Sequence, residues 1–202
     1  MSVLRAFIAI EFSSQVCEAI QKQTGRLRQI LGDNLVRWVS TQNMHLTLKF
    51  LGDTTSSYLD FLKQLLNHEA EAHSQFDMQL GGLGAFPTLR RPRLLWIRIH
   101  APAELAALQK SIETGAARLG YEQEERAFSP HLTIGRIHPN IDTLEQQKVR
   151  AALETIQLGN IGVVRVDSVH LFKSDLRPGG SIYTKLFSAS LSKNHEVKPE
   201  HT

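Results

Sequence analysis

The chain has one cysteine, Cys17, in 202 residues, so no internal disulfide can form and a disulfide-stapled scaffold is excluded. Long apolar runs are also missing. No stretch approaches the ~18 residues that a membrane-spanning helix requires. The opening MSVLRAFIAIEF carries no apolar core followed by a small-residue cleavage site. These absences lead to the expectation of a cytoplasmic protein with no membrane partner. The HExxH and CxxC spacings of zinc sites do not occur, nor does the G-x-S-x-G turn of serine hydrolases. Neither sign of charge dominates: 23 Lys and Arg stand against 20 Asp and Glu, for a formal net charge of +3. That excess favours a polyanionic partner without establishing one.

What is present suits a globular domain, with 42% apolar and 21% charged residues. RAFIAIEF reads as a buried strand, followed by a helix carrying Val16, Ile20, Leu27 and Leu31 at helical spacing. LLWIRIH, residues 94–100, repeats the strand. Pro102 then opens a helix with Leu105, Leu108, Ile112, Ala116 and Leu119 on one stripe, ending near Gly120. Further helices are expected around 57–71 and 142–155. Strands are expected in FDMQLGGLGAF, in VVRVDSVHLFKS and, after the Arg-Pro-Gly-Gly turn at 177–180, in SIYTKLFSA. The order β-α-β-β-α-β, given twice, predicts an α+β fold in which two pseudo-twofold-related lobes, with mainly antiparallel sheets, face a central cleft and carry helices outside. Residues 1–190 are expected to form this single bilobal domain, with 191–202 a polar tail that gives His195 and His201 no role.

The chemistry lies in a repeated phrase. NMHLTLKF and SPHLTIGRI both contain His-apolar-Thr-apolar, starting at His45 and at His131. Strict alternation along a strand places His45, Thr47 and Lys49 on one face and Leu46, Leu48 and Phe50 on the core face. By the same parity His131 and Thr133 share a face, with Leu132 and Ile134 inward. Two such pairs on opposite walls suit in-line attack on phosphorus, where one imidazole accepts a proton from water while the other donates to the leaving oxygen. The threonine hydroxyls then serve the non-bridging phosphate oxygens. A duplication kept for packing alone explains the repeat without chemistry, and a zinc site lacks obvious further ligands.

The same residues resemble the signature of the 2H phosphoesterases, and in particular the bacterial RNA 2′,3′-cyclic phosphodiesterases, also named 2′-5′ RNA ligases. The resemblance runs through RAFIAIEF, NMHLTLKFLG, RPRLLWIRI, FSPHLTIGRI and VHLFKSDLRPGGSIYTKL. It implies cofactor-free, metal-independent hydrolysis of a terminal 2′,3′-cyclic phosphate to a 2′-phosphate, with 2′-5′ joining of RNA ends as a reversible side activity. It assigns His45 as proton donor and His131 as acceptor, with Thr47, Thr133 and Arg136 binding phosphate. Alternation would turn Arg136 away from the cleft unless a bulge falls at Gly135.

Phe7, Trp38, Phe128 and Tyr183 are candidates to stack a terminal base, although each also suits a core. His170 is read as structural or rim. Clusters at Arg90, Arg91 and Arg93 and at Lys173 and Arg177 are read as solvated faces. The partner expected is RNA with a 2′,3′-cyclic phosphate end, met by a monomer. Alternatives are a 2′-5′ oligonucleotide or small cyclic-nucleotide phosphodiesterase, and a non-catalytic nucleotide or RNA binding module.

Overall fold

The structure, a computed structural model, describes residues 2–177 and 180–193. The middle of the Arg-Pro-Gly-Gly turn and the end of the tail, with His195 and His201, lie outside the described residues. Among the described residues nine strands and four α-helices follow the apolar periodicity of the sequence, and every strand pairing within the two sheets is antiparallel.

One sheet has the order β3 (His45–Thr55), β1 (Val3–Glu11), β8 (Ser168–Arg177), β9 (Gly180–Ser190). The other has the order β2 (Val36–Trp38), β6 (His131–Ile137), β5 (Arg91–His100), β4 (Phe76–Thr88), β7 (Asn160–Val166). The central strands β1 and β5 correspond, as do β3 and β6, which carry the two histidine phrases. VVRVDSVHLFKS, expected as one strand, is two: β7 and β8 lie in different sheets, and Asp167 is the step between them. The sheets are therefore not the two halves of the sequence, because β4 joins the second sheet while β8 and β9 return to the first.

Each sheet buries one face under helices. In β1, Ala6, Ile8 and Ile10 are buried in the main core, and in β5 Leu95, Ile97 and Ile99 are. Helices α1 (Ser14–Leu35) and α4 (Thr143–Thr155) pack together over β2, β5 and β7, while α2 (Leu59–Ala72) and α3 (Ala103–Arg118) pack over β3, β8 and β9. α1 buries Cys17, Ile20, Leu27 and Leu31. It breaks at Gly32, whose φ of 65° favours glycine, and this break turns the chain into β2. α4 begins with a reciprocal cap between Asp142 and Glu145. Among the described residues no helix is long and apolar enough to cross a membrane. The uncovered faces of the two sheets form the cleft.

Candidate active site

Pairing with β1 and β5 decides which side chains reach the cleft. Along β1 the odd positions point away from the core, and the register pairs Glu11 with His45, Ala9 with Thr47 and Phe7 with Phe50. Paired residues share a face, so His45, Thr47 and Phe50 stand together. The step from Thr47 to Phe50 spans three residues against two on β1, so the strand bulges at Leu48. The bulge overturns strict alternation for two residues. Lys49 is 5% exposed and bonds inside the protein to the Glu113 carboxylate and the Glu122 carbonyl. Phe50 is 73% exposed, on the histidine face.

β6 repeats this device. Arg98 pairs with His131, Trp96 with Thr133 and Leu94 with Arg136, and the extra residue falls at Ile134. Ile134 and Gly135 are both buried, and Arg136 emerges exposed on the histidine face. Gly135 is required there, since a Cβ would lie 2.6 Å from Val36 Cγ1 on β2. Pairing of β2 with β6 sets Arg37 beside Arg136. The bulged strands thus present matching trios, His45, Thr47, Phe50 and His131, Thr133, Arg136.

The imidazoles are held alike. His45 Nδ1 lies 2.7 Å from the Asn43 carbonyl oxygen, and His131 Nδ1 lies 2.7 Å from that of Ser129. A carbonyl only accepts, so each Nδ1 carries the proton and donates it. Each Nε2 is left free, with no hydrogen-bond partner among the described residues. Nor do the Thr47 and Thr133 hydroxyls bond to any described residue, so they are free to donate. His45 stands over Phe7 at 4.8 Å and edge-on to Tyr183 at 5.1 Å. His131 meets Phe86 at 5.0 Å and Trp96 at 6.2 Å.

Burial pushes the His45 pKa down, and the nearby charges of Arg136 and His131 push it the same way, against the raising effect of the bond to Asn43. Groups from β6 therefore act on a histidine of β3, as opposite walls of one cleft would.

The four proposed stacking residues occupy different places. Phe7 is 3% exposed, packed beneath His45, Phe172 and Tyr183, so it is a floor and not a platform. Trp38 turns toward α1, with Arg28 over its ring at 4.8 Å and its indole nitrogen donating to the Gly32 carbonyl. Phe128 packs against the main core. Tyr183 alone is half-buried at the His45 wall.

Sequence reasoning missed Phe50, Phe86, Trp96 and Arg37. Bulges hid the first; the doubled phrase itself held the signal, since Phe50 and Arg136 both stand five residues after their histidines. His170 is buried beside Ala9, on the same face of the sheet and edge-on to Phe172, with Nδ1 unpartnered and Nε2 3.3 Å from Ser168 Oγ. His138 donates from Nε2 to the Asp33 carbonyl at 3.0 Å. Among the described residues no group of three His, Cys, Asp or Glu side chains is placed to hold a metal. The arrangement offers two free imidazole nitrogens, two free hydroxyls and two guanidinium groups, a set suited to moving protons about a phosphate.

The chain is similar over most of its length to known proteins. The family model described as the 2′-5′ RNA ligase superfamily matches residues 16–178. A protein of Methanothermobacter thermautotrophicus named RNA 2′,3′-cyclic phosphodiesterase is 29% identical over 185 residues, covering 91% of this chain and 96% of its own. One of the same name from Aquifex aeolicus is 32% identical over 189 residues, covering 91% and 95%. The crystal structure of E. coli LigT complexed with 3′-AMP superimposes with a TM-score of 0.75 at 26% identity, covering 95% of this chain and all of that one.

Proposed function

This chain belongs to the 2′-5′ RNA ligase superfamily, and from that premise we propose that it is a cytoplasmic enzyme that hydrolyses RNA 2′,3′-cyclic phosphate ends to 2′-phosphates without a metal. The observation that carries the proposal is the matched pair of histidines, each with Nδ1 tied to a backbone carbonyl and Nε2 free. Relatives named for this activity support the substrate class.

In the proposed reaction a water gives its proton to His131 Nε2 and attacks phosphorus in line with the 3′ oxygen. The P–O3′ bond breaks, and the 3′ oxygen takes the proton of His45 Nε2. Thr47 and Thr133 donate to the non-bridging oxygens, and Arg136 offsets the charge that builds on them. Without substrate His45 favours its neutral form, because burial and the nearby Arg136 charge depress its pKa. A bound phosphate anion opposes that charge and raises the pKa again, so that the donor is charged when substrate is present. If a 5′-hydroxyl replaces water, the same proton transfers join two RNA ends through a 2′-5′ linkage. Tyr183 and the exposed ring of Phe50 serve the terminal base.

The test is turnover, in EDTA, of a short RNA ending in 2′,3′-cyclic phosphate, by the parent, His45→Ala and His131→Ala proteins. Each variant should lose a factor on the order of 10²–10⁴, and the parent product should be a 2′-phosphate. A substrate with sulfur in place of the bridging 3′ oxygen leaves without protonation, so it should rescue His45→Ala and not His131→Ala. Rescue of the other variant would reverse the two roles. Turnover untouched by either change would refute the mechanism.

A further inference from the structure

We propose that a depression beside His131, on the cleft face of the second sheet, is a second phosphate subsite that takes a phosphodiester of the RNA next to the reacting end, with Arg98 as its anchor. The proposal rests on the reading of the cleft as an RNA cyclic phosphodiesterase site. It starts from a difference between the two lobes. Register gives each catalytic histidine one partner on the central strand of its own sheet: Glu11 for His45 and Arg98 for His131. Glu11 is neutralised by an ion pair with Lys185. Arg98 is exposed and has no carboxylate within ion-pairing distance among the described residues.

The ground next to Arg98 is built differently as well. β4 bulges at Gly81 and Gly82 where β5 carries Arg98. Gly82 has φ +82°, a left-handed conformation that glycine alone adopts freely, and its N–H donates to the Leu158 carbonyl. A Cβ on Gly81 would lie 2.8 Å from the Gly159 carbonyl oxygen, so only glycine lets the two segments approach this closely. The result is a hollow of about 240 Å³, floored by backbone and lined by Arg98, His100, Gln79 and Asn160.

A fixed, forked cation over a glycine floor with side-chain amides and an imidazole at its edge is a donor set suited to phosphate oxygens. Paired Cα atoms on adjacent strands are about 5 Å apart, which sets the Arg98 backbone beside that of His131 and puts the hollow one strand further along the same sheet, at β4. The phosphodiester has two possible sources. It belongs to the strand that bears the cyclic end, or to the strand whose 5′-hydroxyl takes the place of water.

The experiment compares the parent with Arg98→Gln, a change at an exposed residue that leaves the reacting groups in place. Adenosine 2′,3′-cyclic phosphate, which has no second phosphate, should be hydrolysed by both within about two-fold. If the subsite holds the cyclic strand, hydrolysis of a hexanucleotide with a cyclic end should show a KM raised about five-fold in the variant, at unchanged kcat. If it holds the other strand, that KM stays put and the five-fold loss appears in joining to a 5′-hydroxyl RNA. Parent-like behaviour of the variant in all three assays overturns the proposal, as does an equal loss on the mononucleotide.

A binding measurement keeps this test separate from the catalytic reading. The affinity of a hexanucleotide with a 5′-hydroxyl and a 2′-phosphate is followed against salt, where the slope of log K against log salt should shrink by about 0.7 in the variant. An unchanged slope refutes the subsite, even if the parent hydrolyses nothing and the proposed activity fails.

Discussion

Replacing Lys49 by methionine tests the bulge on which one wall of the site depends. The ammonium donates to the Glu113 carboxylate and the Glu122 carbonyl, and the two charged side chains are 4% and 14% exposed. Removing one member of a buried pair typically costs 3–5 kcal/mol, because the other charge stays buried without its counterion. Glu113 would keep the Glu124 backbone N–H at 2.9 Å and a long contact from Gln109. Those bonds relieve part of the loss, so the expected value is about 3 kcal/mol, the lower end of that range. The double variant Lys49→Met, Glu113→Gln removes the stranded charge and should recover about half of it. Urea denaturation of the three proteins reads both figures. Had β3 kept strict alternation, Lys49 would lie on the cleft wall, where Lys49→Met would cost less than about 0.5 kcal/mol and would instead weaken RNA binding with a smaller salt slope. That pattern would refute the placement of Lys49 inside and of Phe50 in the cleft.

Two further outcomes follow from the same geometry. Gly135→Ala puts a Cβ 2.6 Å from Val36 Cγ1 and 3.1 Å from the Trp38 ring. Such overpacking costs about 1–3 kcal/mol, at roughly 2–4 °C of Tm per kcal/mol, and a thermal melt should fall while kcat/KM drops as Arg136 shifts. A melt unchanged from the parent would show that β2 yields freely. The folded state holds the His45 and His170 pKa values below the usual ~6.5, in both cases chiefly through burial. The unfolded chain therefore binds more protons below that pH, so stability is full above about pH 6.5 and declines on acidification. His170→Gln should flatten this decline in denaturation curves taken from about pH 7.5 to pH 5; an unaltered slope would show that His170 titrates alike in both states.

The elements and the matched pair of histidines were legible in the sequence because both depend on local spacing. Helical stripes such as Val16 to Leu31 and Leu105 to Leu119 need only a 3.6-residue period, and Asp142 with Glu145 caps α4 within one turn. His45 and His131 were found because the phrase is doubled, whereas Arg136 was pointed to only by the family resemblance, against the alternation of the strand. The order of the strands was less accessible. VVRVDSVHLFKS is apolar enough to be one strand, and nothing within it says that β7 and β8 bond to partners in different sheets. Trp38 looks like any aromatic of a strand until α1 brings Arg28 against its ring.

His45, Thr47, His131 and Thr133 thus came from the sequence alone, since side-chain parity holds over the two-residue step between each histidine and its threonine. Lys49, Phe50, Arg98 and Arg136 were placed only by the tertiary structure. Their positions depend on where β3 and β6 slip by one residue against β1 and β5, and on where β4 bulges. A slip of that kind is a balance of hydrogen bonds and packing between segments distant in the chain, and no single strand contains the terms that decide it.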